Sequence, residues 1–143
     1  MTYLLELDRI SKSFGRVVVA DGLSFSVAAG DALGIVGPNG AGKTSLFGII
    51  SGDLAPDAGE VRLDGRAVTR LDAAARCRLG IGRTYQVPRP FEGMTVFENV
   101  LVATQQGGGL HGQASFDLAS DILRQAGLHQ DANRRRCRAS DQL

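Results

Sequence analysis

Residues Gly37 to Thr44 read G-P-N-G-A-G-K-T, filling every fixed position of the phosphate-loop pattern G-x-x-x-x-G-K-[ST] and adding a third glycine, Gly40, at its centre. Glycines let the backbone turn tightly enough for successive N–H groups to converge on a phosphate with no Cβ in the way. Lys43 is expected to reach the β- and γ-oxygens of a nucleoside triphosphate, and the Thr44 hydroxyl to ligate Mg²⁺. The pattern also occurs in loops that hold no ligand, so its flanks matter. Ala32-Leu33-Gly34-Ile35-Val36 is a short apolar run of the kind found in a strand covered on both faces. Thr44 to Ile50 carries apolar residues at helical spacing, so the loop should open a helix whose N-terminus faces the phosphates.

The rest of the chain reads as one domain's worth of sequence. Its 143 residues are 43% apolar and 22% charged, enough for a single core. Sixteen basic and fifteen acidic residues leave a net charge of +1, so no global field draws the chain to nucleic acid or anionic lipid. Four arginines between Arg134 and Arg138 are the one local imbalance, expected to be a solvated tail. Cys77 and Cys137 lack metal-ligand spacing, and no signal peptide or long apolar stretch appears. The expectation is a reduced, cytosolic chain.

Leu5 and Leu7 alternate with Glu6 and Asp8, Val17-Val18-Val19 is β-branched, and Leu23, Phe25 and Val27 alternate with Ser24 and Ser26. This predicts an antiparallel β layer in front of the phosphate-loop strand, with turns at Gly15, Gly22 and Gly30. Asp53 to Gly59 reads as a breaker, Glu60 to Leu63 as a strand ending in an Asp64-Gly65 turn, Thr69 to Arg78 as a helix and Ile81 to Tyr85 as extended chain. Two prolines between Val87 and Pro90 fix an irregular loop after Gln86. Thr95-Val96-Phe97-Glu98 spells a capping box, predicting a helix to about Gln105. A polar linker follows, then a second helix from Ser115 to Ala126 with Phe116, Ala119, Ile122, Leu123 and Ala126 on one face and Gly127 as its cap.

Together these motifs resemble the nucleotide-binding subunit of an ATP-binding-cassette (ABC) transporter, over residues 1–133, leaving 134–143 as a non-matching arginine-rich tail. The fold implied is α/β: the P-loop NTPase core of an ABC ATPase with an N-terminal antiparallel β layer. The resemblance assigns ATP and Mg²⁺ as ligands, held by Gly37, Pro38, Asn39, Gly40, Ala41, Gly42, Lys43, Thr44 and Ser45. It makes Phe14, in Ser11-Lys12-Ser13-Phe14-Gly15, the ring that stacks on adenine, with Val19 covering an edge of the base. A Phe at a strand end also serves as ordinary core. Gln86 in Gly82-Arg83-Thr84-Tyr85-Gln86 matches the family's glutamine loop, where the amide lies near Mg²⁺ and the attacking water. The alternative there is a plain surface glutamine. Lys43 and Gln86 are thus the implied catalytic residues, and Thr44 and Gln86 the implied metal contacts.

Arg83-Thr84-Tyr85-Gln86, the block from Phe91 to Val100, and Gly127-Leu128 before Ala132-Asn133-Arg134 resemble importer subunits for branched-chain amino acids. Subunits for lipopolysaccharide export or urea uptake share much of this text. The resemblance further implies transmembrane permease partners contacted through the loop after Gln86, a second ATP-binding subunit, and a cytoplasmic position on the inner face of the membrane. The signature motif, the acidic strand with its catalytic glutamate and the switch histidine do not appear among these residues, and Ser140-Asp141-Gln142 only faintly echoes a signature. The expectation is an incomplete domain lacking its C-terminal half, truncated or frame-shifted, with an exposed sheet edge, binding Mg-ATP weakly and hydrolysing it negligibly. A soluble P-loop ATPase acting on nucleic acid is an alternative, opposed by the lack of a basic stripe before residue 134. A non-hydrolysing remnant is the third reading.

Overall fold

The computed structural model describes residues 3–135. Arg136, Cys137, Arg138 and Ser140 to Gln142 therefore lie outside the described residues. The chain divides into two compact units, one ending at Arg76 and the other beginning at Cys77.

The first unit is built on a four-stranded antiparallel sheet of order β2-β1-β3-β4, formed by β1 (Tyr3–Phe14), β2 (Val17–Ala28), β3 (Ala58–Leu63) and β4 (Arg66–Ala67). The turns expected at Gly15 and at Asp64-Gly65 are present, whereas Gly22, at φ 59°, lies inside β2 and not at a turn. Gly15 takes φ 58° between β1 and β2, and Asp64 and Gly65 take φ 48° and 71°, the left-handed pair that a two-residue hairpin turn requires. One face of the sheet carries Leu7, Ile10 and Val61, which bury Leu46 and Ile49 of α1 (Lys43–Ser51) together with Val68.

Strict alternation from Leu5 and Leu7 would aim Arg9 inward. Instead the register of β1 shifts between Leu7 and Ile10 against β2, and between Asp8 and Ser11 against β3. Arg9 absorbs the extra residue at φ 47°, its N–H donating to Ser24 Oγ at 2.8 Å, and Ile10 takes the core position. Gly59 sits against this bulge, where a Cβ would collide with the Arg9 carbonyl oxygen.

Two further expectations change in this unit. Ala32 to Val36 is not a strand: no ladder pairs it among the described residues, Val36 is 94% exposed, and only Ile35 packs on the core. An apolar run becomes a strand only where neighbours supply hydrogen bonds, and the sheet's strands pair elsewhere. The helix expected from Thr69 begins later, as α2 (Ala73–Arg78), because Thr69 is taken by β3: its Oγ1 accepts the Val61 N–H at 2.9 Å and donates to the Val61 carbonyl at 3.3 Å. Asp72 caps α2 instead, accepting the Ala75 N–H at 2.8 Å.

In the second unit α3 (Val96–Gln106) packs against α4 (Gln113–Gln125). Ser115, Ala119 and Leu123 are the buried residues of α4, while Phe116 and Ile122 of the expected face stay about 40% exposed. The Phe116 ring lies 5.8 Å from that of Phe97. Gly127, at φ 71°, ends α4 in a Schellman turn, with its N–H on the Arg124 carbonyl and the Leu128 N–H on that of Leu123. Ile81 to Tyr85 is irregular chain rather than strand.

Candidate functional site

Gly37 to Ser45 forms an exposed loop running into α1. Gly40 and Gly42 take φ 84° and 83°, conformations that a Cβ disfavours. Lys43 folds back over the loop, its Nζ donating to the carbonyl oxygens of Gly37 and Pro38, both at 2.6 Å. Gly42 is the N-cap of α1, and no side chain caps the helix. A helix start with open amides, a positive dipole end and an ammonium within the same few residues has the chemistry to receive an anion. The start of α3 shows the contrast. There Thr95 Oγ1 accepts the Glu98 N–H at 3.1 Å and the Glu98 carboxylate accepts the Thr95 N–H at 2.6 Å. The N–H groups of Val96 and Phe97 donate to the carbonyls of Arg134 and Ala132. That helix end is full; the start of α1 is not.

The Thr44 hydroxyl is exposed and forms no hydrogen bond among the described residues, so it fits a role as a single Mg²⁺ ligand beside phosphate oxygens and water. No group of three or more metal-ligating side chains occurs among the described residues, so an ion here would depend on the nucleotide for most of its shell.

Val19 is held against the loop. A Cβ built on Gly42 would lie 2.5 Å from the Val19 carbonyl oxygen and 3.0 Å from the Val19 Cβ, so only glycine fits at 42. Val17, two residues before Val19 on β2, pairs with Phe14. The β1–β2 hairpin thus carries Phe14 and Val19 on adjoining strands beside the phosphate loop. The Phe14 ring is 50% exposed, with Lys12 Nζ 5.4 Å from its centroid, so it is not a core ring.

Gln86 belongs to the second unit, where it is exposed at the head of the proline loop. Tyr85 beside it has the guanidinium groups of Arg83 and Arg89 at 4.7 and 5.8 Å from its ring. The far end of this loop is tied to α3 by Asn99, whose Oδ1 accepts the Phe91 N–H at 2.7 Å and whose Nδ2 donates to the Thr95 carbonyl at 2.9 Å.

Sequence reasoning passed over Arg76. It is 1% exposed, and its guanidinium donates to four carbonyls: Ile49 at 2.6 Å, Ile50 at 2.8 Å, Thr69 at 2.9 Å and Leu71 at 3.1 Å. Two of these lie in the last turn of α1, so a cation meets the negative end of the helix whose positive end opens on the Gly37–Gly42 loop. Burial holds the Arg76 guanidinium below its ordinary pKa. The only signal in the sequence was a lone arginine between Ala75 and Cys77, in register with Leu71 and Leu79.

A protein family described as ABC transporter matches residues 20–143. The chain is 45% identical over 98 residues to the Nod factor export ATP-binding protein I of Paraburkholderia xenovorans (strain LB400), covering 68% of this chain and 32% of that protein. It is 41% identical over 99 residues to a probable branched-chain amino acid transport ATP-binding protein, LivG, of Methanocaldococcus jannaschii, covering 69% and 38%. The chain therefore spans about a third of the length of these relatives. Among solved structures, the ADP conformation of MJ1267, an ATP-binding cassette of an ABC transporter, superposes with a TM-score of 0.75 at 32% identity, over 94% of this chain and 58% of that one. A loop built for phosphate, the hairpin beside it and these likenesses converge: the chain belongs to the ABC transporter family, and its fold is that of part of an ATP-binding cassette.

Proposed function

We propose that the chain is the nucleotide-binding portion of an ABC importer subunit that takes up branched-chain amino acids by binding and hydrolysing ATP. The open N-terminus of α1, with Lys43 folded over the carbonyls of Gly37 and Pro38, carries this reading. On nucleotide binding Lys43 exchanges those carbonyls for β- and γ-oxygens, while amides from Gly37 to Ser45 close around the phosphates. Thr44 would supply a hydroxyl to Mg²⁺, whose charge would offset that of the phosphates, and Gln86, by its match to the glutamine loop, is the residue that would orient water. Phe14 stacks on adenine and Val19 shields its edge. A second ATP-binding subunit completes the site, and permease subunits dock through the loop after Gln86 at the inner face of the membrane. No helix among the described residues is long and apolar enough to cross a membrane, in keeping with a peripheral role.

The branched-chain cargo is supported by the block from Phe91 to Val100 and by the similarity to the LivG protein. Calorimetric titration of the full chain with Mg-ATP tests the binding half. Saturable uptake of heat that vanishes in Lys43→Ala is expected, and equal binding by both proteins overturns the reading. Disrupting the gene tests the cargo, with a selective loss of leucine, isoleucine and valine uptake expected.

A further inference from the structure

We propose that Asp57, acting through Lys12, holds the end of β1 so that the Phe14 ring stands ready as a base platform, which makes Asp57 and Lys12 positioning residues for the adenine end of the site. This rests on the reading of Phe14 given above.

Asp57 ties down every residue just before the ring. Its Oδ1 accepts from Lys12 Nζ at 2.7 Å, its Oδ2 accepts the Ser13 N–H at 2.7 Å, and its own N–H donates to the Ser11 carbonyl at 2.8 Å. The position needs such support. Pairing of β1 with β3 ends at Ser11 opposite Ala58, so Asp57 is what lies on that side of the strand beyond the ladder. Pairing with β2 is irregular between Lys12 and Ser13. Lys12 and Phe14 are two residues apart on one strand and so share a face, which brings the ammonium 5.4 Å from the ring centroid.

The Lys12 side chain is only 14% exposed although its head is charged, and the Asp57 carboxylate is what it meets. The lysine bond first, and the Ser13 N–H second, keep the Asp57 carboxyl below its ordinary pKa. A cation against part of the ring leaves the half-exposed remainder for a flat, uncharged partner such as a purine. Without the carboxylate, the ammonium has no reason to stay over the ring, and the Ser13 amide loses its acceptor.

The test separates the base from the phosphates. The full chain and the variants Phe14→Ala, Asp57→Asn and the double variant are titrated with Mg-ATP and with inorganic tripolyphosphate. Phe14→Ala should weaken ATP about tenfold and leave tripolyphosphate unchanged. Asp57→Asn should weaken ATP roughly two- to fivefold, also without effect on tripolyphosphate, and should add nothing in the Phe14→Ala background. Retained tripolyphosphate binding shows that the variants fold. If Phe14→Ala weakens ATP and Asp57→Asn does not, the positioning role is overturned while the platform reading stands. A parallel loss of tripolyphosphate in Asp57→Asn, or an additive loss in the double variant, also overturns it. An unaffected Phe14→Ala overturns the platform reading and this inference with it.

Discussion

Replacing Arg76 by Met should unfold the first unit far more readily than any surface change, although Met fills much of the same volume. The guanidinium serves four carbonyls, of which Ile49 is fully buried and those of Ile50, Thr69 and Leu71 belong to partly buried residues. A buried acceptor left without a donor costs about 1–3 kcal/mol, and the three partly buried residues can recover some of that from water. The α1 C-terminus also loses its counter-charge, worth about 0.3–1 kcal/mol. Against this, removing the guanidinium ends the desolvation that lowers its pKa, and Met adds apolar packing. The balance is a loss of about 2–4 kcal/mol, set by the carbonyls left without a donor and the lost counter-charge. Urea unfolding followed by circular dichroism measures it. With a slope of about 1–2 kcal/mol per molar, typical of a small unit, the midpoint should fall by roughly 1–4 M. Arg76→Lys should recover only part, since an ammonium cannot span four acceptors. A Met variant unfolding within a few tenths molar of the parent would refute the view that this side chain closes α1.

Gly42→Ala should abolish ATP binding and lower the thermal midpoint, because the new Cβ meets the Val19 carbonyl at 2.5 Å and the residue is held at φ 83°; unchanged titration by calorimetry would contradict this. Thr95→Ala should cost about 1 kcal/mol, read as faster amide exchange confined to the first turn of α3. The Glu98 carboxyl lies below its usual 4.5, chiefly through the Thr95 N–H and then the Thr95 hydroxyl. A depressed acid stabilises above its unfolded pKa and loses that contribution as pH falls through the folded one. Protection of α3 should therefore decline below about pH 4.5, and Glu98→Gln should flatten the profile while lowering it at neutral pH. Asn99→Ala should loosen the loop at Phe91, seen as faster exchange of its amide.

Features written in a few consecutive residues were legible. The Thr95–Glu98 box, the Asp64-Gly65 turn and the Gly127 cap each depend on local backbone chemistry, and each was found where its residues stand. What depends on partners far along the chain was not. Ala32 to Val36 has the composition of a buried strand, yet composition cannot supply a ladder. The Arg9 bulge breaks an alternation that the pattern of Leu5 and Leu7 would continue, and its cause is the fit between three strands. Arg76 looked like any helix-surface charge, since nothing local reveals four carbonyls converging on it. Within the candidate site, apolar spacing from Thr44 announced a helix, and α1 begins at Lys43. The approach of Val19 to Gly42 came only from how β2 lies.

The amides of Val96 and Phe97 find their acceptors at Arg134 and Ala132, far downstream. During synthesis α3 leaves the ribosome well before those carbonyls exist outside it. The reciprocal bonds of Thr95 and Glu98 must then keep its opening turn wound alone, a provisional clasp that the later chain relieves by laying itself alongside. Maturation of this unit thus waits on the arrival of its last described residues, and a chain stalled before them would present a helix with its leading amides still bare.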